Sequence, residues 1–343
     1  MNRLTPRISH NNIVILATLL LLIVLYGAGS VQYTGFFSLQ VFLNLFIDNA
    51  YLIIVATGMA FVIISGGIDL SVASLVALVS MVSGDLFAHG ANAGTVVAAS
   101  LALGIAFGAG QGYLIYRFQL HPWIVTLAGM FLARGISFLI SSESIVITNE
   151  TYVKLSQHKI HVWGQNFVSV SVLIALAVVI AVLLVAKFTF FGRAVYAMGG
   201  NEKSAALMGL PIARTTVLVY TLSGFCSALG GIVFTLYTLS GYSLHLMGME
   251  MEAIAACVIG GILLTGGFGY LIGPMLGVLC TGIIQTIIMF QGTLSSWWTK
   301  IAIGLLLFLF MALQRVIVMR KEKSRNPVSS MNSPNSENKI VNL

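Results

Sequence analysis

Apolar residues fall along this chain in blocks that reach or approach the ~20 residues a helix needs to cross a bilayer, with short polar breaks between them. The pattern predicts an all-α polytopic membrane protein of about ten transmembrane helices, over residues 13–31, 48–65, 71–88, 94–116, 123–140, 167–186, 215–238, 252–265, 272–290 and 297–314. Glycine pairs interrupt it at Gly66-Gly67 and Gly266-Gly267, where two separate crossings and one broken or re-entrant helix read alike. The breaks, ISGG at 64–67 and LTGG at 264–267, form a faint internal echo, of a kind that duplicated transporter halves leave and chance also produces. Arg3 and Arg7 ahead of the first block, and small residues at 27–30 behind it, imitate a secretory signal. The many blocks that follow favour an uncleaved first span.

Composition agrees with lipid as the medium. Only 8% of the 343 residues are charged and 58% are hydrophobic, whereas about a quarter of a soluble domain is charged. Thirty-five glycines would weaken soluble helices but let transmembrane helices approach closely. The net charge of +7 flanks the apolar blocks and forms no stripe with aromatics, which argues against nucleic acid and for membrane lipid as partner. An inside N-terminus puts Arg3, Arg7, Arg117, Lys187, Arg193, Lys203, Arg214 and the cluster Arg315, Arg320, Lys321, Lys323, Arg325 on the cytoplasmic side. The charge-balanced stretch 141–166 then lies outside, and Trp297 and Trp298 mark the outer edge of the last span. The expected organisation is a cytoplasmic N-terminus at 1–12, a transmembrane body at 13–315 with a cytoplasmic loop at 187–214, and a cytoplasmic tail at 316–343. That tail is basic at first, then Pro/Ser/Asn-rich and disordered.

Catalytic motifs are not visible. A P-loop needs Gly-Lys, which never occurs, and nucleophile-elbow and zinc-protease patterns are missing as well. His158 and His161 lack further ligands, and Cys226, Cys257 and Cys280 lie in apolar stretches as buried thiols. The chain is read as no enzyme and as binding no metal or cofactor. Attention passes to polar residues at membrane depth. Asp69 and Ser71 either cap the helix that resumes after Gly66-Gly67 or belong to a broken helix beside a pathway. Asp48 and Asn49 open the preceding span and read as interfacial caps. Arg134 lies inside a span, where a central arginine costs at least about 2.5–3.5 kcal/mol. It either faces the bundle interior, paired with an acid, or snorkels to the headgroups. Glu250 and Glu252 suit a first helical turn, but two residues apart they point to opposing faces, so one alone can face a pathway.

In the loop 187–214, Gly199-Gly200-Asn201 precede a short helix-like stretch at 202–208 that includes Glu202, Lys203, Ala205 and Ala206, and Gly209 and Pro211 stop it. A short cytoplasmic helix suits the groove of a partner. A chain with no nucleotide site that offers such a helix points to an external motor.

From about residue 44 to 315 the sequence resembles the ribose/galactose/xylose-type permeases of bacterial sugar ABC importers. Gly66-Gly67-Ile68-Asp69-Leu70-Ser71-Val72 is similar to their GGIDLSVGS signature, with Ala73 at a usual glycine. Gly199-Gly200-Asn201 and the later Ala205-Ala206 and Gly209 resemble their coupling loop, with Met208 at a common serine. Glu250 to Ala256 and Ile259-Gly260-Gly261 resemble their ExDAIAAxxIGG stretch, with Ile262 at a frequent threonine. Within the family, GTLSSWWTKI at 292–301 is similar to galactofuranose-importer permeases. The resemblance implies a type II-like importer permease of the bacterial inner membrane. Its implied partners are a second permease (a paralogue or another copy), a periplasmic sugar-binding protein, and a cytoplasmic ATPase that holds the ATP and Mg2+. Residues Gly199, Gly200, Asn201, Glu202, Lys203, Ala205, Ala206, Gly209 and Pro211 would couple to that ATPase. Gly66, Gly67, Asp69, Ser71, Arg134, Glu250 and Glu252 are the pathway candidates. An ion-driven secondary transporter is the competing reading; it would need mid-membrane ionisable groups, for which Arg134 and Asp69 are the candidates.

Overall fold

The computed structural model describes residues 10–295 and 297–325; the stretch holding Arg3 and Arg7 and the tail beyond 325 lie outside the described residues. In chain order the helices are α1 (His10–Gln32), α2 (Leu39–Ile64), α3 (Val72–Ala88), α4 (Ala93–Arg117), α5 (Pro122–Ile140), α6 (Glu150–Gln157), α7 (Val170–Phe188), α8 (Phe190–Gly200), α9 (Glu202–Leu207), α10 (Ile212–Thr238), α11 (Met249–Ile259), α12 (Gly273–Gln291) and α13 (Trp297–Arg325). Four short strands accompany them: β1 (Ile145–Val146), β2 (Lys159–Trp163), β3 (Asn166–Ser169) and β4 (Ser240–Gly241).

Each expected span lies on a helix, and eight helices among the described residues are long and apolar enough to cross a membrane. The two exceptions are α3, with 17 residues, and α11, with 11. At 1.5 Å per residue α11 extends about 16 Å, roughly half of a ~30 Å hydrocarbon core. The span expected over 252–265 is therefore a half-helix followed by irregular chain. Its stop is Gly261 at φ +91°, where Gly261 N–H and Ile262 N–H donate back to the carbonyls of Val258 and Cys257, each at 3.0 Å. The irregular chain is partly covered by protein, with Ile262 and Leu271 buried and Thr265 and Tyr270 exposed. Other boundaries shift for local reasons. The Ser38 side chain accepts from Val41 N–H and starts α2 well before residue 48, while strand pairing delays α7 to residue 170.

Close helix contacts are made at glycines. Gly104, Gly108 and Gly112 of α4 present a face without side chains to α10, where a Cβ would strike Gly224, Tyr220 and Val217. In turn α10 meets α2 at Gly58 against Cys226 and at Gly230 against Val55, and meets α3 at Gly231 against Val79. These pairs make α10 antiparallel to α2 and α4 and parallel to α3. Lipid is as apolar as leucine, so close van der Waals contact has to hold such helices together. Burial separates centre from rim: 83% of the apolar window of α2 is buried, against 11% of that of α1.

At one end of the bundle the connections fold into a cap. Strands β1 and β4 pair antiparallel, Ile145 opposite Gly241, and β2 and β3 form a hairpin. The Gln40 side chain of α2 bonds the N–H and C=O of Phe167 at 2.9 and 3.2 Å. Tyr152 of α6 is buried against Phe87, its hydroxyl 3.1 Å from Thr235 Oγ1. At the opposite end lie the α2–α3 turn, α8, α9 and the irregular chain after α11. The contrast between two glycines of α4 tests the packing. Gly108→Ala forces a Cβ onto α10 and is expected to destabilise by about 1–3 kcal/mol in thermal unfolding of the purified protein. Gly110→Ala meets nothing within 4 Å and is expected to be neutral or stabilising by up to about 1 kcal/mol. Equal effects would remove backbone contact as the cause.

Candidate functional site

The α2–α3 turn is built to drive a carboxylate inward. After Ser65 ends α2, Gly66 at φ +89° reverses the chain, and Gly66 N–H and Gly67 N–H donate to Ile63 O and Val62 O at 2.9 Å. This pair of bonds satisfies carbonyls that a helix C-terminus leaves orphaned. The chain then carries Asp69 to 2% exposure. Its Oδ1 accepts from Ser71 N–H at 2.9 Å and Ser71 Oγ at 2.6 Å, and its Oδ2 accepts from Ser223 Oγ of α10 at 2.7 Å. Burial pushes this carboxyl above the usual range, while the Ser71 and Ser223 donors pull it back down. Of the two expected caps, Asp69 closes a turn on a backbone donor, whereas the Ser71 hydroxyl turns to Asp69 and not to the helix. Gln111 of α4 lies 3.2 Å from Ser71 Oγ. Ser71 has one proton and the shorter contact with Asp69 claims it, so the Gln111 amide completes the chain by presenting its NH2. The Tyr220 hydroxyl of α10 lies against Gly67 where any side chain would be. Asp69 thus ties the turn to α10.

Beside this turn lies α9. The Asn201 side chain accepts from Ser204 N–H at 2.8 Å and starts the helix; Ala205 is buried as its anchor; Gly209 at φ +79° ends it. Leu207 and Met208 stand 90% and 70% exposed at its tip, Glu202 and Lys203 are exposed at its start, and Pro211 leads into α10. Within the expected loop 187–214, Gly199 and Gly200 precede α9 as the last residues of α8, and packing leaves no room for a side chain at Gly199. Gly199 sits against Ile64 O and Gly267, and Gly267 N–H donates to Ile64 O at 2.7 Å. A Cβ on Gly266 would stand 2.9 Å from Gly66 Cα, and one on Gly267 2.6 Å from Gly200 Cα. Three glycine pairs, far apart in sequence, meet in one junction.

The remaining candidates lie toward the hairpin end. Arg134 turns inward, but onto carbonyls: its Nη1 donates to Ser243 O and, at 3.0 Å, to His245 O. Ser243 Oγ, with one proton to give, lies 2.8 Å from Ser141 O and 3.1 Å from Ser137 O, so the link 239–248 is pinned to the end of α5. Burial and the nearby Arg134 charge hold the His245 imidazole below its ordinary pKa. Glu250 and Glu252 both lie in the first turn of α11, and Glu252 meets Lys300 of α13 at 3.5 Å. Sequence reasoning missed Ser223, Gln111 and Lys300. Lys300, a cation four residues into a span, carried the same signal as Arg134; a serine or a glutamine in an apolar run carried almost none.

Comparison with known proteins follows this geometry. Residues 41–311 match the family described as branched-chain amino acid transport system / permease component. The chain belongs to this permease family. It is similar to the inner membrane ABC transporter permease protein YjfF of Escherichia coli (strain K12), 47% identical over 88% of this chain and 92% of that one. It is also similar to the fructose import permease protein FruG of Bifidobacterium longum (37%; 88% and 91% covered) and to the ribose import permease protein RbsC of E. coli K12 (33%; 85% and 91% covered). No solved structure matches. The permease is a multi-pass membrane transport subunit and not an enzyme, and the resemblance drawn from its motifs is upheld at that level.

Asp69 gives a sharp check on the turn. Asp69→Asn puts an amide donor among groups that already donate and is expected to destabilise the permease by about 1–3 kcal/mol in thermal unfolding; Ser223→Ala is expected to cost about 1 kcal/mol. Wild-type stability in both variants would show that the turn is held by packing alone.

Proposed function

We propose that this permease carries a monosaccharide, galactofuranose, inward across the bacterial inner membrane as one of two permeases in an ATP-driven importer. A periplasmic sugar-binding protein delivers the sugar, and a separate cytoplasmic ATPase holds ATP with Mg2+. The observation that carries this reading is α9, a capped helix with an exposed Leu207–Met208 tip seated beside the glycine junction. A protruding apolar tip of this kind fits a partner's groove. Closure of the ATPase would press on α9, and Gly199-Gly200 would pass the movement to Gly266-Gly267 and so to α11. The bundle would then alternate between outward and inward access. Relatives named for fructose and ribose import support a sugar as cargo. The 292–301 stretch supports galactofuranose, and the distribution of basic residues supports cytoplasmic termini and a cytoplasmic α9.

Uptake of labelled sugars by cells lacking this permease tests the proposal. ATP-dependent galactofuranose uptake is expected to vanish; loss of a different sugar would move the substrate, and unchanged uptake of every sugar would end the sugar reading. Leu207→Asp with Met208→Asp is expected to cut uptake by roughly tenfold or more while the permease still reaches the membrane, since charges at the tip oppose an apolar groove. Full uptake by that variant would move the docking surface elsewhere.

A further inference from the structure

Between α11, α12 and α13, at the hairpin end, lies a cavity of about 640 Å³ whose wall includes Glu252, Gln285, Trp297, Thr299 and Lys300. Pockets for small ligands run to roughly 300–1,000 Å³, so a monosaccharide fits with room to reorient. Ile288, Met289 and Leu294 make part of the wall apolar, and the remaining groups suit a sugar. A sugar offers hydroxyls that donate and accept around a ring with apolar C–H faces. Glu252 accepts, Lys300 donates, Gln285 does both, and Trp297, 69% exposed, offers an indole face. One carboxylate and one ammonium together are neutral, as a neutral cargo requires.

The charged pair is also loosely made. Glu252 Oε1 and Lys300 Nζ stand 3.5 Å apart, beyond the ~2.7–2.9 Å of a tight charge-assisted bond. Lys300 gives one further bond, at 3.3 Å, to Met247 O, and among the described residues the Glu252 carboxylate has no hydrogen-bond partner besides Lys300. Lone pairs and protons are thus left for a guest. Glu252 sits in the first turn of α11, and the far end of that half-helix runs through 260–267 into the glycine junction beside α9. An occupant of the cavity would therefore touch a half-helix whose far end leads into that junction.

We infer that this cavity is a monosaccharide-binding site on the translocation route, held by Glu252, Lys300 and Gln285 with Trp297 as stacking face. The inference rests on the sugar-import reading and adds the place where the permease itself touches its cargo.

Cysteine protection tests it. Cys226, Cys257 and Cys280 are buried, so an Ile288→Cys variant in the complete transporter, at a lining position outside the proposed sugar contacts, gives a single accessible thiol on this permease for a charged methanethiosulfonate reagent in right-side-out vesicles. Uptake of galactofuranose, D-ribose and D-fructose is measured in the same vesicles. The sugar they accumulate, at ten times its half-protecting concentration, is expected to slow labelling roughly tenfold by occupancy, and a sugar they do not accumulate is expected to leave it unchanged. Adding Glu252→Gln or Trp297→Ala is expected to keep the labelling rate without sugar and abolish protection; Trp298→Ala, outside the cavity, is expected to keep protection. A thiol that never labels, or labels at one rate whatever imported sugar is present, overturns the site while sugar import stands. Labelling that follows the anionic lipid content of the vesicles and ignores sugar assigns the cavity to a headgroup and overturns the site as well. Vesicles that accumulate no sugar overturn the import reading and the site with it.

Discussion

One backbone hydrogen bond, from Gly267 N–H to the Ile64 carbonyl at 2.7 Å, fixes where three distant parts of the chain meet. Ile64 closes α2, and its carbonyl is among those a helix C-terminus leaves without an internal partner. Ile64 is buried, so a protein donor is the partner its carbonyl needs. A donor can come this close only if nothing projects from either backbone. Gly199, Gly266 and Gly267 meet that demand, with Gly66 and Gly200 lying against the last two, and so the ends of α2 and α8 and the chain after α11 come together there.

The same constraint governs the rest of the bundle at larger scale. Lipid gives helices little hydrophobic reason to associate, so contact area at short range must do so. Helix α10 obtains it from three sides, through Gly104, Gly108 and Gly112 of α4, Gly58 of α2, and Gly231 on its own surface. Asp69 adds polar linkage to this packing. Its carboxylate joins the α2–α3 turn to Ser223 of α10, where an unpaired charge would be costly. The turn, α10 and the glycine junction therefore form one unit, and α9 is attached to it at Ala205 and through the end of α8.

Different residues were legible in the sequence for different reasons. Gly209 could be read as a helix stop because the rule is local: a positive-φ glycine at the end of a periodic segment needs no knowledge of the rest of the chain. The placement of Glu250 and Glu252 in a first helical turn was legible for the same reason, since acids favour that end of a helix. The partners of Arg134 were not legible. Cost pointed to burial and suggested an acid, but the link 239–248 offers carbonyls, and loop conformation is not written in local pattern. Nor were the contacts of Gly199 and Gly200 legible. Within the expected loop they are the end of α8, and the contact of Gly199 with the Ile64 carbonyl of α2 joins parts of the chain too far apart for local pattern to record.

The sequence by itself determined the medium, the helical class, the approximate spans and the short capped helix that became α9, because hydrophobic period and end-capping are properties of neighbours along the chain. Its motifs also sufficed to name the permease family. Tertiary structure alone decided that the stretch over 252–265 stops half-way, that two glycine breaks which read as an echo meet a third pair, and that Glu252, Gln285, Trp297 and Lys300 share a cavity. Such convergence depends on which backbones approach one another across hundreds of residues, and a residue's neighbours in sequence carry almost no record of its neighbours in space.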